Sequence, residues 1–265
     1  MTPSLPPHHG RKAALEILCA PCATHRIEVF DPAVAPNLPG GLGYRLFRAV
    51  PRAGDGGVLW LLDGNGAFDF LTPGMLERVP GVAVIGVGYQ TDEQFARSER
   101  VYDYTPGGDR PDPHHPGRRA GGVAGFLPLL TGPLRAAGEA GLSVDPARRT
   151  LWGHSFGGLC ALAAMPGGFA RHALASPSVW WDEPAALALA RCARGTVLLS
   201  LGDREQRTGS TGPAPQGPPP AALRLAEVLR AQPGVDLRLS VHPGAGHIAT
   251  LPASLPDALS LAAAR

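Results

Sequence analysis

Short apolar runs alternate with segments of helical spacing along most of the chain. Val82 to Gly88 is a continuous apolar run, the pattern of a strand covered on both faces. Gly43 to Val50, Gly57 to Leu62, Thr150 to Trp152, His172 to Ala175 and Val197 to Leu201 read as further strands, and Leu237 to Val241 alternates like a half-buried one. Between them, Leu159 to Ala164, Pro184 to Ala193 and Ala221 to Ala231 read as helices, with Pro184 tolerated in a first turn. Gly122 to Gly141 spaces Phe126, Leu129, Leu130 and Leu134 near helical period, with Pro128 and Pro133 as candidate breaks. Strands alternating with helices predict an α/β architecture, a mostly parallel central sheet flanked by helices on both faces.

Residues 1–25 are expected to be loosely ordered, and 26–265 to form a single domain. Two stretches interrupt the alternation. Arg207 to Pro220 is too rich in Gly and Pro for a helix or strand and reads as a flexible surface insertion at 207–220. Thr91 to Arg119 carries five Arg against six acidic residues and reads as a near-neutral solvated loop.

Apolar residues make up 44% of the chain, enough for a sizeable core, and the formal charge of +2 predicts neither nucleic-acid nor membrane affinity. The apolar runs are too short to span a bilayer, and Met1 to His9 has no apolar signal core, so the expected setting is cytoplasmic. Cys19-Ala20-Pro21-Cys22 has metal or redox spacing, but no second pair of ligands completes a site, so neither a metal nor a cofactor is expected. Cys160 is expected in the core and Cys192 at a helix end.

The candidate chemistry sits at strand ends. Gly153-His154-Ser155-Phe156-Gly157 joins the strand ending at Trp152 to the helix beginning near Leu159. It fits Gly-x-Ser-x-Gly, the sharp turn that lifts a nucleophilic serine above a sheet, with glycines where strand and helix backbones nearly touch. Leu61-Leu62-Asp63-Gly64-Asn65-Gly66 follows an early strand, where this arrangement draws one backbone N–H of an oxyanion hole; a plain β-turn is the simpler account of those residues alone. His247 ends the glycine-rich Pro243-Gly244-Ala245-Gly246 segment after the last strand, the place for a general base, and imidazole titrates near neutrality. The acid should fall between Ser155 and His247 in the chain. Asp203 and Glu205 both follow the strand at Val197 to Leu201. Glu205 is preferred, because a residue further into the loop can turn back toward the histidine; Asp203 also suits a turn cap or a pair with Arg204.

With these motifs in line the chain resembles the esterases of the α/β-hydrolase fold, and among them the enterobactin and salmochelin (siderophore) esterases. The segments that carry the resemblance are Tyr44 to Phe47 with Pro51, Leu61 to Asn65, Ile85 to Tyr89, Arg100-Val101-Tyr102-Asp103-Tyr104-Thr105-Pro106, Gly153 to Leu159, Ser176 to Trp181, and Gly202 to Gln206 with His247. The resemblance implies Ser155 as nucleophile, His247 as base, and the backbone N–H groups of Asn65 and Phe156 as oxyanion hole. It does not settle Glu205 against Asp203. It puts the Thr91 to Arg119 segment over the site, where Arg97 or Arg100 would hold an anionic catecholate or carboxylate, unless Asp103 holds Arg100 instead. Trp180 and Trp181 are candidates either for stacking on aromatic substrate groups or for buried packing. The implied substrate is a small-molecule ester, a serine trilactone or related siderophore, with any iron carried by the ligand. A general carboxylesterase, an S-formylglutathione hydrolase-like thioesterase and a non-catalytic hydrolase-fold binding protein stand as alternatives.

Overall fold

The computed structural model describes residues 10–206 and 216–265. Its main sheet has eight strands: β1 (His25–Phe30), β2 (Tyr44–Pro51), β3 (Val58–Leu62), β4 (Ala83–Tyr89), β5 (Arg149–His154), β6 (Arg171–Ala175), β7 (Gly195–Gly202) and β8 (Val235–His242). Their spatial order is β1-β2-β4-β3-β5-β6-β7-β8. β2 pairs antiparallel with both β1 and β4, and every pairing from β4 onward through β3 to β8 is parallel. β3 shows why such strands read as unbroken apolar runs: Val58, Trp60 and Leu62 enter one core layer, while Leu59 and Leu61 enter the other.

Helices cover both faces. α1 (Gly64–Phe70) and α2 (Pro73–Glu77) lie on the second layer, where Phe68 and Leu76 pack with Phe47 and Trp152. On the first layer lie α3 (Arg97–Tyr104), α4 (Val123–Thr131), α5 (Pro133–Gly138), α6 (Phe156–Ala163), α7 (Glu183–Arg191) and α8 (Pro220–Arg230). α9 (His247–Ala263) returns to the second layer and buries Leu251, Leu255, Ala258 and Leu259. This is the α/β-hydrolase architecture.

Several details depart from the sequence reading. Pro128 stays inside α4, and the break falls at Gly132, with Pro133 opening α5 as its first residue, where a missing N–H costs nothing. The Thr91 to Arg119 stretch contains α3, whose residues from Arg100 to Tyr104 are buried. Residues 1–9 lie outside the described residues, but from Gly10 onward the chain makes specific contacts. Ala13 N–H donates to the Asp92 carbonyl at 2.9 Å, and Ile17 is buried in the second core layer. Of the insertion at 207–220, residues 207–215 lie outside the described residues. Cys160 is buried and Cys192 caps α7.

Candidate active site

The elbow between β5 and α6 holds Ser155 at φ 60°, ψ −117°, a conformation that L-residues other than glycine rarely adopt. Two neighbouring glycines make it possible. A Cβ on Gly153 would lie 2.1 Å from the Gly157 carbonyl oxygen, and one on Gly158 would lie 2.9 Å from Pro177 Cα. Gly157 is different: a Cβ there would meet Leu62 Cβ at 3.4 Å, an ordinary contact. Close backbone approach therefore demands glycine at 153 and 158, and the motif's second glycine is not needed for space.

Three side chains from three strand ends form one chain of hydrogen bonds. Ser155 Oγ lies 3.0 Å from His247 Nε2, and His247 Nδ1 lies 3.0 Å from Glu205 Oε2. Glu205 also accepts from Ser176 Oγ at 2.5 Å and from the Gly202 N–H at 2.7 Å. Burial alone would raise the Glu205 pKa. The hydrogen bonds from His247, Ser176 and Gly202 outweigh it and hold the carboxyl below its ordinary value. Asp203 Oδ1 accepts the Gly244 N–H at 2.7 Å, which ties it to the loop that carries His247. His247 is the first residue of α9, placed there by the turn after β8.

A second histidine supports the first. His154 Nε2 lies 2.8 Å from the His247 carbonyl oxygen, and the two rings sit 4.7 Å apart. Burial, followed by the neighbouring His247, pushes His154 well below the usual imidazole range. A neutral His154 that donates from Nε2 pins the His247 backbone. Ser178, 1% exposed, contributes another hydroxyl at 3.0 Å from Ser155 Oγ.

Two helix N-termini face the elbow region. Asn65 is the second residue of α1 and Phe156 the first of α6, and the first N–H groups of a helix have no intrahelical acceptor. The Asn65 side chain is committed to β4: Oδ1 accepts the Tyr89 N–H at 2.9 Å, and Nδ2 donates to the Tyr89 and Thr91 carbonyls. Gly88 permits this approach, since a Cβ there would lie 2.9 Å from Asn65 N.

A cavity of about 610 Å³ opens above Ser155, lined among others by Phe95, Trp180, Pro219, Arg224 and Ile248. Trp180 is half-exposed on its wall, whereas Trp181 is buried, faces the Arg110 guanidinium and does not line the cavity. Arg97 is exposed and also lies outside the lining. Arg100 reaches the cavity floor but is already matched in charge, donating from Nε and Nη2 to Asp63 Oδ1 and Oδ2 at 2.8 and 2.7 Å. The carboxylate that Arg100 meets in this structure is that of Asp63, in the turn between β3 and α1. Asp103 does not hold Arg100; it accepts from Tyr44, Tyr89 and Asn37. Among the described residues, Arg224 is the other arginine that lines the cavity, and it is paired with Glu183.

Sequence reasoning missed Asp63, His154, Ser176, Ser178 and Arg224. Four of these lay inside segments already singled out, but no pattern distinguished them from turn residues. Among the described residues, no cluster of three or more His, Cys, Asp or Glu is arranged to hold a metal ion, and no helix is long and apolar enough to cross a membrane.

No protein-family model matches the chain. It is 38% identical to the apo-salmochelin esterase of Escherichia coli over 145 residues, 50% of this chain and 45% of that protein. It is 29% identical to the ferri-bacillibactin esterase BesA of Bacillus subtilis over 231 residues, 77% of this chain and 78% of that one. The chain thus matches less than half the length of the first of these relatives. Among solved structures, the enterobactin hydrolase IroE in complex with DFP superposes with a TM-score of 0.72 at 27% identity, covering 93% of this chain and 99% of that one. By sequence and by architecture, the chain is similar to the siderophore esterases of the α/β-hydrolase fold.

Proposed function

We propose that the chain is a serine hydrolase that cleaves carboxylic esters through an acyl-enzyme. The observation that carries this reading is the unbroken path Ser155 Oγ to His247 Nε2 to Glu205, 3.0 Å at each step, beneath an open cavity. Ser155 attacks the ester carbonyl while its proton passes to His247 Nε2. The carbonyl electron pair moves onto oxygen, and the N–H groups of Asn65 and Phe156 receive the oxyanion. Collapse breaks the ester C–O bond, and the leaving alkoxide takes the proton from His247. Water then repeats the sequence on the acyl-enzyme and regenerates the Ser155 hydroxyl. Glu205 keeps the Nδ1 proton in place and stabilises the imidazolium as it forms.

The substrate class follows from the relatives, which are named for salmochelin, bacillibactin and enterobactin. A siderophore ester of the catecholate trilactone class fits a cavity walled by Phe95, Trp180 and Ile248, where apolar and aromatic surface meets flat rings. Free cysteines at all four positions fit a reducing compartment, and the proposed setting is cytoplasmic. The test is a hydrolysis panel read by mass spectrometry: apo and ferric catecholate trilactones, linear serine esters, short acyl esters and S-formylglutathione. Preference for the trilactones supports the reading. Preference for S-formylglutathione or short acyl esters overturns the substrate class but keeps the chemistry.

A further inference from the structure

The hydroxyl of Ser178 stands 3.0 Å from Ser155 Oγ, on top of the bond from Ser155 to His247. The direction of each hydrogen bond follows from the acceptor-only end of the chain. The Glu205 carboxylate accepts, so His247 Nδ1 carries a hydrogen and Nε2 is left as an acceptor. Ser155 must then give its only hydrogen to Nε2. With that hydrogen committed, Ser155 Oγ can only accept from Ser178.

Ser178 is itself firmly placed. Its N–H donates to the Ser155 carbonyl at 3.0 Å, and the side chain is buried. The loop that carries it begins at Ser176, which takes a positive φ of 41°, and Pro177 fits against Gly158, where a Cβ would lie 2.9 Å away. One three-residue loop thus holds both ends of the path: Ser176 donates to Glu205, and Ser178 meets Ser155.

Resting on the reading of Ser155 as nucleophile, we propose that Ser178 is a positioning residue, donating to one lone pair of Ser155 Oγ so that the other faces the cavity. Fixing a nucleophile's rotamer acts on the chemical step and leaves ground-state binding nearly unchanged.

The test measures labelling of the full chain by a fluorophosphonate probe, located by peptide mass spectrometry and resolved into KI and kinact. Ser178→Ala should lower kinact about 10-fold with KI within about 2-fold of wild type, a modest share of the loss that misplacing a reacting group can cause. Ser178→Cys keeps the size but is a weak donor, and its kinact should fall between the two. A folded Ser178→Ala chain with wild-type kinact overturns the proposal, as does a change confined to KI. If the alanine variant does not fold, a wild-type kinact for Ser178→Cys overturns it and a several-fold loss supports it. A wild-type chain that is not labelled at Ser155 instead refutes the underlying nucleophile assignment.

Discussion

Replacing Glu205 by Gln separates the two candidate acids. Glu205 Oε1 faces two donors, Ser176 Oγ and the Gly202 N–H, and Oε2 faces the third, His247 Nδ1. In Glu205→Gln the amide oxygen is held toward Ser176 and Gly202, which leaves the NH2 group facing His247. Two donors cannot share that 3.0 Å contact, so Nδ1 must give up its hydrogen and Nε2 must carry it. Nε2–H then faces Ser155 and can no longer take its proton. In chymotrypsin-type enzymes the corresponding Asp to Asn change costs about 10⁴ in kcat, or about 5 kcal/mol of transition-state stabilisation. A loss of 10³ to 10⁴ in kcat is the expectation here, with KM and melting temperature little changed. Asp203→Asn retains an oxygen for the Gly244 N–H and should stay within about 3-fold of wild type, since surface changes that keep their contact are near neutral. The assay is p-nitrophenyl ester hydrolysis at pH 7.5 with a thermal melt of each variant. A Glu205→Gln enzyme within 10-fold of wild type, or an Asp203→Asn enzyme down 100-fold and still folded, would refute the argument.

Three further outcomes follow from the geometry. Gly157→Ala should fold normally and gain up to about 1 kcal/mol from helix propensity, whereas Gly153→Ala should lose several kcal/mol or fail to fold, since its Cβ would meet backbone at 2.1 Å; urea melts of the two variants check this, and equal stabilities would contradict it. Arg100→Met should cost about 3–5 kcal/mol by leaving Asp63 buried without its partner, and Arg100→Met with Asp63→Asn should recover part of that loss; failure of the double variant to recover any stability would contradict the pairing. Burial pushes His172 down to about 4 from an ordinary value near 6.5, so the fold binds fewer protons there than the unfolded chain, and its stability rises with pH across that window. Wild type should therefore lose up to about 3 kcal/mol relative to His172→Leu as pH falls from 6.5 to 4; a difference that is flat with pH in denaturant titrations would contradict this.

What the sequence disclosed and what it hid have distinct physical causes. β3 and β4 were legible because burial on both faces leaves no charged position, as in Val84-Ile85 beside Gly86-Val87 of β4. The convergence of Ser155, His247 and Glu205 was legible because each follows a strand at its carboxyl end, where an α/β sheet gathers its loops. α3 was not, because Arg100 and Asp103 look like solvent-facing charges. Their partners, Asp63 and the Tyr44–Tyr89 pair, lie 14 to 59 residues away in the chain. α9 was hidden by Pro252 and Pro256, which discourage a helical reading, although Leu251, Leu255 and Leu259 keep its four-residue spacing. The Ser176 and Ser178 hydroxyls left no trace in one dimension, since their partners Glu205 and Ser155 belong to other strand ends.

The central claim is that Ser155 is an activated nucleophile, and covalent labelling tests it most directly. Intact-mass spectrometry of the wild-type chain after a fluorophosphonate probe should show one adduct, mapped by peptide digestion to Ser155. Ser155→Ala should take up none while retaining the wild-type melting profile. A wild-type chain that stays unmodified, or an adduct that persists in Ser155→Ala, would contradict the account.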